Sequence, residues 1–174
     1  MAIRKFAAAL VAGAVCFGAQ SAVAQDKYTS FGTTQGWEVL QDNATKECVM
    51  LKDSNGVAVQ LGLAANDPTK GYIGVFTNLE GELKNGKTKK IHLLLDNTDY
   101  EYKSVITEVT EGVRAGYYGA MMAIDNPQFV NDFANKEVLV VDVEGGNIFG
   151  FSLYGTKSAM NMWSECSGVK LNID

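Results

Sequence analysis

Residues 48–63 read Cys48-Val49-Met50-Leu51-Lys52-Asp53-Ser54-Asn55-Gly56-Val57-Ala58-Val59-Gln60-Leu61-Gly62-Leu63. Two apolar runs flank Asn55-Gly56, and the second alternates through Val57, Val59 and Leu61. Asn and Gly both tolerate positive φ, so this pair between two such runs predicts a tight β-hairpin. The same pattern continues outward. Residues 37–40 precede it as a strand, and residues 72–76 follow the turn cluster Asn66-Asp67-Pro68-Thr69-Lys70-Gly71 as another. Asn85-Gly86 marks a turn before the apolar run 91–95, and 103–110 alternates through Val105, Thr107 and Val109. Residues 113–124 read as a longer, Gly-interrupted strand, and 137–143 and 148–153 flank the turn Gly145-Gly146-Asn147. Residues 28–36, polar and Gly-bearing, are expected to form a mobile start.

Two helices interrupt the strands near the end. Asp125-Asn126-Pro127 supplies a capping side chain and a proline where its missing N–H does no harm, which predicts a helix over 127–134 with Phe129, Val130 and Phe133 on one face. Thr156 is expected to cap a second helix over 157–165, with Ala159, Met162, Trp163 and Cys166 at helical spacing. Short, regularly spaced strands argue against βαβ units. The expected fold is mainly β: an antiparallel sandwich or barrel-like arrangement with two short helices.

The chain has 174 residues, a length that suits one domain with a real core. Its first 24 residues read as an export signal. Arg4 and Lys5 form the positive start, residues 6–18 are apolar, and Ser21-Ala22-Val23-Ala24 ends in the small-x-small pattern that signal peptidase requires. Cleavage after Ala24 leaves residues 25–174 as a single exported domain, expected in the periplasm, with the surface or medium as alternatives. Gly13-Ala14-Val15 before Cys16 lacks the Leu-like residue of a lipidation site. No later stretch approaches the about 20 apolar residues of a spanning helix.

Removing Arg4 and Lys5 leaves 13 basic against 20 acidic residues, a net charge of −7. Such a balance disfavours nucleic acid as a partner. Two cysteines remain, Cys48 and Cys166, and an oxidising compartment makes them one disulfide. By the chain-entropy argument a bridge across so long a loop is worth about 4 to 5 kcal/mol at most.

Candidate chemistry is sparse. His92, the only histidine, lies in Ile91-His92-Leu93-Leu94-Leu95, and strand alternation turns it away from Ile91 and Leu93. No Gly-x-Ser-x-Gly elbow accompanies it. Asp96-Asn97-Thr98-Asp99-Tyr100-Glu101 is rich in oxygen ligands but does not fit an EF-hand, so it reads as an acidic turn. Asp96, Asp99 and Glu101 would be the carboxylates of a hydrolase of envelope polymer. Zinc spacings, phosphate loops and dinucleotide fingerprints are absent, so no catalytic residue, metal or cofactor is expected. Two stretches are candidate binding sites. Lys84, Lys87, Lys89 and Lys90 surround Asn85-Gly86 as a basic tip that suits an anionic partner, or simply guards a sheet edge. Gly116-Tyr117-Tyr118-Gly119-Ala120-Met121-Met122 is either core strand or an apolar or sugar-binding surface.

The ending Phe151-Ser152-Leu153-Tyr154-Gly155-Thr156-Lys157-Ser158-Ala159-Met160, running into a helix that closes at Cys166, resembles the strand–Gly–helix–Cys ending of the invasion-associated locus B family of exported α-proteobacterial proteins. Trp37 and Cys48-Val49-Met50 match its opening layout, while Val39-Leu40-Gln41 lacks the family's further cysteine. The resemblance implies a periplasmic or surface-associated β-sandwich, linked in some pathogens to host-cell entry, and brings no catalytic residues. The expected role is non-enzymatic binding of an envelope component or a protein. The alternatives are a carrier of small apolar ligands, with Tyr117, Tyr118, Met121 and Met122 around a cavity, and the carboxylate hydrolase.

Overall fold

The computed structural model describes residues 27–79, 83, 85–110, 114–146 and 148–173. The expected export signal and Lys84 lie outside them. Eleven strands and two helices follow in order: β1 (Tyr28–Thr34), β2 (Trp37–Asp42), β3 (Cys48–Ser54), β4 (Val57–Ala64), β5 (Asp67–Thr77), β6 (Thr88–Leu95), β7 (Thr98–Val105), β8 (Thr107–Glu108), β9 (Tyr118–Ile124), α1 (Pro127–Asn135), β10 (Val138–Val143), β11 (Ile148–Ser152) and α2 (Thr156–Ser167). All neighbouring strands pair antiparallel. They form a seven-stranded sheet in the order β1-β2-β3-β4-β5-β9-β8 and a four-stranded sheet in the order β11-β10-β6-β7. The two sheets pack as a sandwich-like arrangement, with no closed barrel.

Asn55 and Gly56 take φ of 54° and 77°, the positive pair that the β3–β4 hairpin requires. Gln35 and Gly36, at 49° and 83°, do the same between β1 and β2. This corrects the expected mobile start: residues 28–34 are a strand, held by β2 and overlain by Met162 of α2, whose sulfur leaves no room for a side chain at Gly32. The acidic turn also shrinks. Only Asp96-Asn97 turn, and Thr98 to Glu101 already pair with β6. The cluster after Leu63 likewise contributes a turn at Ala65-Asn66 and then enters β5 at Asp67.

Inward residues of the large sheet, among them Val59, Leu61, Ile73, Val75 and Met122, meet Ile91, Leu93, Leu139, Val141 and Phe151 of the small one. Phe129 of α1 packs edge-on to Tyr100 and Tyr102, and Phe133 meets Trp37 the same way. Asn126 caps α1 by accepting from Gln128 N at 3.0 Å, with Pro127 as first helical residue. Thr156 does not cap α2. Gly155 occupies the cap in the left-handed region at φ 86°, and the Thr156 hydroxyl donates to Leu153 O at 2.5 Å. Cys48 and Cys166 form the expected disulfide, which ties α2 to β3 across a separation of 118 residues.

Candidate functional site

Strand alternation decides what the small sheet shows to solvent. Ile91, Leu93 and Leu95 of β6 point into the core, so His92 and Leu94 point out. Register sets their neighbours. His92 lies between Asp142 of β10 and Glu101 of β7, and Ile148 of β11 lies beyond Asp142. In the next row Leu94 lies between Val140 and Asp99, with Gly150 beyond Val140. The outer face is therefore mixed: β10–β11 show aliphatic side chains with the one carboxylate of Asp142, and β6–β7 show mostly charged ones around Leu94.

On the charged half, His92 Nδ1 stands 3.0 Å from Asp99 Oδ2, and its Nε2 stands 3.8 Å from Glu101 Oε2. An imidazole braced by a carboxylate resembles part of a hydrolase triad, but the second nitrogen here faces another carboxylate in place of a nucleophile. Lys90 pairs with Glu101 at 3.1 Å. Asp96 Oδ1 accepts from Glu137 N at 3.2 Å and Val138 N at 3.0 Å, closing the β6–β7 turn onto β10. The three carboxylates named for a hydrolase are thus engaged with a ring, a lysine and the backbone.

The aliphatic half is unusual for its exposure. Ile148 is 68% exposed and Val138 43%, and Tyr154, 70% exposed, follows just past β11. Val138, Ser152 and Tyr154 also line a groove of about 500 Å³ that runs to Lys136 and the start of α2. At the adjoining sheet edge Lys52 reaches across from β3. Its Nζ donates to Ser152 O and Tyr154 O, each at 3.0 Å, and sits over the Trp37 and Phe151 rings. Burial pulls this amine below its ordinary pKa.

Among the described lysines of the basic tip, Lys89 and Lys90 make different contacts. Lys90 belongs to the outer face, Lys89 bonds Glu144 O at 2.9 Å, and Lys87 is exposed. Tyr117 and Tyr118 also part. The Tyr117 hydroxyl donates to Asp53 Oδ2 at 3.2 Å, beside the Asp53–Arg114 ion pair, whereas Tyr118 packs on the core. Met122 is buried and Met121 faces out. The space that Tyr118 lines inside the sandwich measures about 10 Å³, about the room of one water and far below a ligand cavity. Gly119 is there because Phe76 lies across it, and Gly74 lies beneath Phe76 and Met121 in the same way.

Sequence reasoning missed the face itself. Its signal is the pairing of exposed Val138 and Ile148 with an apolar set of opposite phase in the same strands. Comparison with protein-family models, curated proteins and solved structures finds no match to this chain.

Proposed function

We propose that this protein is exported to the periplasm, or to the cell surface, and acts there without catalysis by binding a protein or another envelope component through the outer face of its four-stranded sheet. One observation carries the reading. Among the described residues, three of the seven exposed large hydrophobic side chains, Val138, Ile148 and Tyr154, belong to β10, β11 and the short turn that follows it. Scattered surface apolar residues need no explanation, but Val138 and Tyr154 beside a groove, with Ile148 at the other end of the same two strands next to Asp142, share one face as the parts of an interaction site do.

The export reading is supported by the Arg4-Lys5 start, the apolar stretch and the small-x-small ending, and it accords with the Cys48–Cys166 bridge. The resemblance of the C-terminal strand–Gly–helix–Cys to the invasion-associated locus B family points the same way and extends the proposal to envelope function or host-cell contact. Binding without turnover is supported by the engaged state of Asp96, Asp99 and Glu101.

The test is site-specific photo-crosslinking in intact cells, with fractionation to locate the protein. A crosslinker at Ile148 is expected to trap a discrete species in the periplasmic or surface fraction, while one at Lys87 traps none. A cytoplasmic protein, or a product from Lys87 and none from Ile148, overturns the reading.

A further inference from the structure

We infer that the occupant of this face is a cationic amphipathic segment of a protein partner; this rests on the binding role proposed above. Three observations converge on it. The apolar side chains are bordered by carboxylates: Asp142 lies directly beside Ile148, and Asp99 shares a row with Leu94, Val140 and Gly150. Lys90 and Lys103 face each other across β6 and β7 in the row beyond His92 and Glu101, away from Val140 and Gly150, and Lys90 is already paired with Glu101. A partner seated over Val140 and Ile148 therefore meets negative charge first.

Asp142 is also an open acceptor. Its carboxylate is half-buried between His92 and Ile148, yet among the described residues it takes no hydrogen bond or ion pair. A partly desolvated carboxylate without a donor is completed by an incoming lysine or arginine.

Gly150 is the third observation. It sits in the middle of β11 with ordinary backbone angles, and a Cβ built on it would meet no atom within 4 Å. Neither a turn nor internal packing calls for glycine there, in contrast to Gly119 beneath Phe76. A strand glycine weakens its strand and marks sites where another chain approaches closely. Here it leaves a notch between Ile148 and Ser152, next to Val140, where a Cβ would meet open space. A separate groove begins at Ser152, on the far side of the notch from Ile148, and is lined by Val138 and Tyr154 together with Lys136, Glu137 and Lys157.

The experiment titrates the folded, oxidised protein into three labelled peptides: an amphipathic Lys/Leu peptide, an all-Lys peptide and a Glu/Leu peptide. The Lys/Leu peptide is expected to bind best and to weaken with salt. Asp142→Asn and Ile148→Ser should each weaken it about tenfold, as truncation of a central contact does. Gly150→Val should weaken it while leaving the thermal midpoint unchanged or higher, because valine suits a strand and meets open space. Lys87→Glu and Glu38→Gln, both off this face, should leave binding as it was. Equal binding of the Lys/Leu and Glu/Leu peptides, equal binding of the all-Lys peptide, or wild-type binding by Asp142→Asn and Gly150→Val each overturns the inference. If these fail while Ile148 still crosslinks in cells, the face binds a partner of other chemistry and only this inference falls. If the crosslink is lost too, the binding role falls with it.

Discussion

The indole Nε1 of Trp163 donates at 2.7 Å to the carbonyl oxygen of Cys48, the residue whose sulfur carries the covalent link between the same helix and the same strand. Trp163 is 1% exposed, so this carbonyl has no water to replace the indole. Trp163→Phe keeps most of the ring and removes the donor. The variant should lose about 1–3 kcal/mol, the usual cost of orphaning a buried acceptor, plus the packing of the smaller ring. Urea unfolding at unchanged m-value measures it.

Reducing the Cys48–Cys166 bridge, or replacing both cysteines by serine, should destabilise the fold by up to about 5 kcal/mol, because the closed loop is long. The unfolding midpoints of oxidised and reduced protein provide the comparison. A protein equally stable in both forms would show that α2 is held by Trp163 and Met160 alone.

Asp42 accepts from Thr45 N at 3.0 Å and Ala44 N at 2.8 Å, and these bonds hold its carboxyl below the ordinary carboxylate value. Asp67 is lowered too, chiefly by the Thr69 hydroxyl at 2.5 Å. A depressed folded pKa means that the unfolded chain takes up the proton first as pH falls. The contribution is present above the unfolded value of about 3.9 and is lost on acidification toward the folded value. Thermal midpoints measured between neutral and acid pH should fall less steeply for Asp42→Ala, which is already destabilised at neutrality.

The alkaline side has the opposite sign. Burial pushes the Tyr102 phenol up to about 12, and Tyr100 is raised further by burial and by Asp132, to which it donates at 2.9 Å. Stability from these raised groups is intact below the unfolded tyrosine value of about 10 and declines as pH climbs toward the folded values. Ultraviolet titration should show tyrosines that ionise only with unfolding. Tyr102→Phe should remove part of that late step.

Lys52 closes the open edge of β11 by occupying the carbonyls of Ser152 and Tyr154. Unpaired strand edges invite pairing with another chain, and a lysine is a common guard. Lys52→Met should free the Ser152 carbonyl, while Tyr154 O keeps the Trp37 indole at 3.2 Å, and should make the protein associate as its concentration rises. Sedimentation velocity across a dilution series detects it. A Lys52→Met protein that stays monomeric would show that the edge is guarded by other means.

Much of this fold was legible in the chain because it is written locally. The Asn55-Gly56 hairpin, the two-residue alternation of β4, β6 and β10, and the Asn126-Pro127 helix start each follow from a few neighbouring residues. β1 was not legible. Its residues are polar, and it exists because Gln35-Gly36 folds it onto β2 and α2 lies over it. The Thr156 cap misled for a related reason: Gly155 takes the left-handed turn that frees the Thr156 hydroxyl for Leu153.

By itself the sequence determined the β-rich class, the two helices and the one disulfide open to the two cysteines of residues 25–174, since turn chemistry, periodicity and residue counts act over short range. Only the tertiary structure decided which distant strands lie side by side. His92 meets Asp142 through the β6–β10 register, which joins strands far apart in the chain, whereas Ile148 reaches the same carboxylate through the local β10–β11 pairing. Register between strands far apart in the chain is set by the packing of Leu93, Leu139, Val141 and Phe151 inside the sandwich, and a one-residue slip would turn every one of those side chains outward.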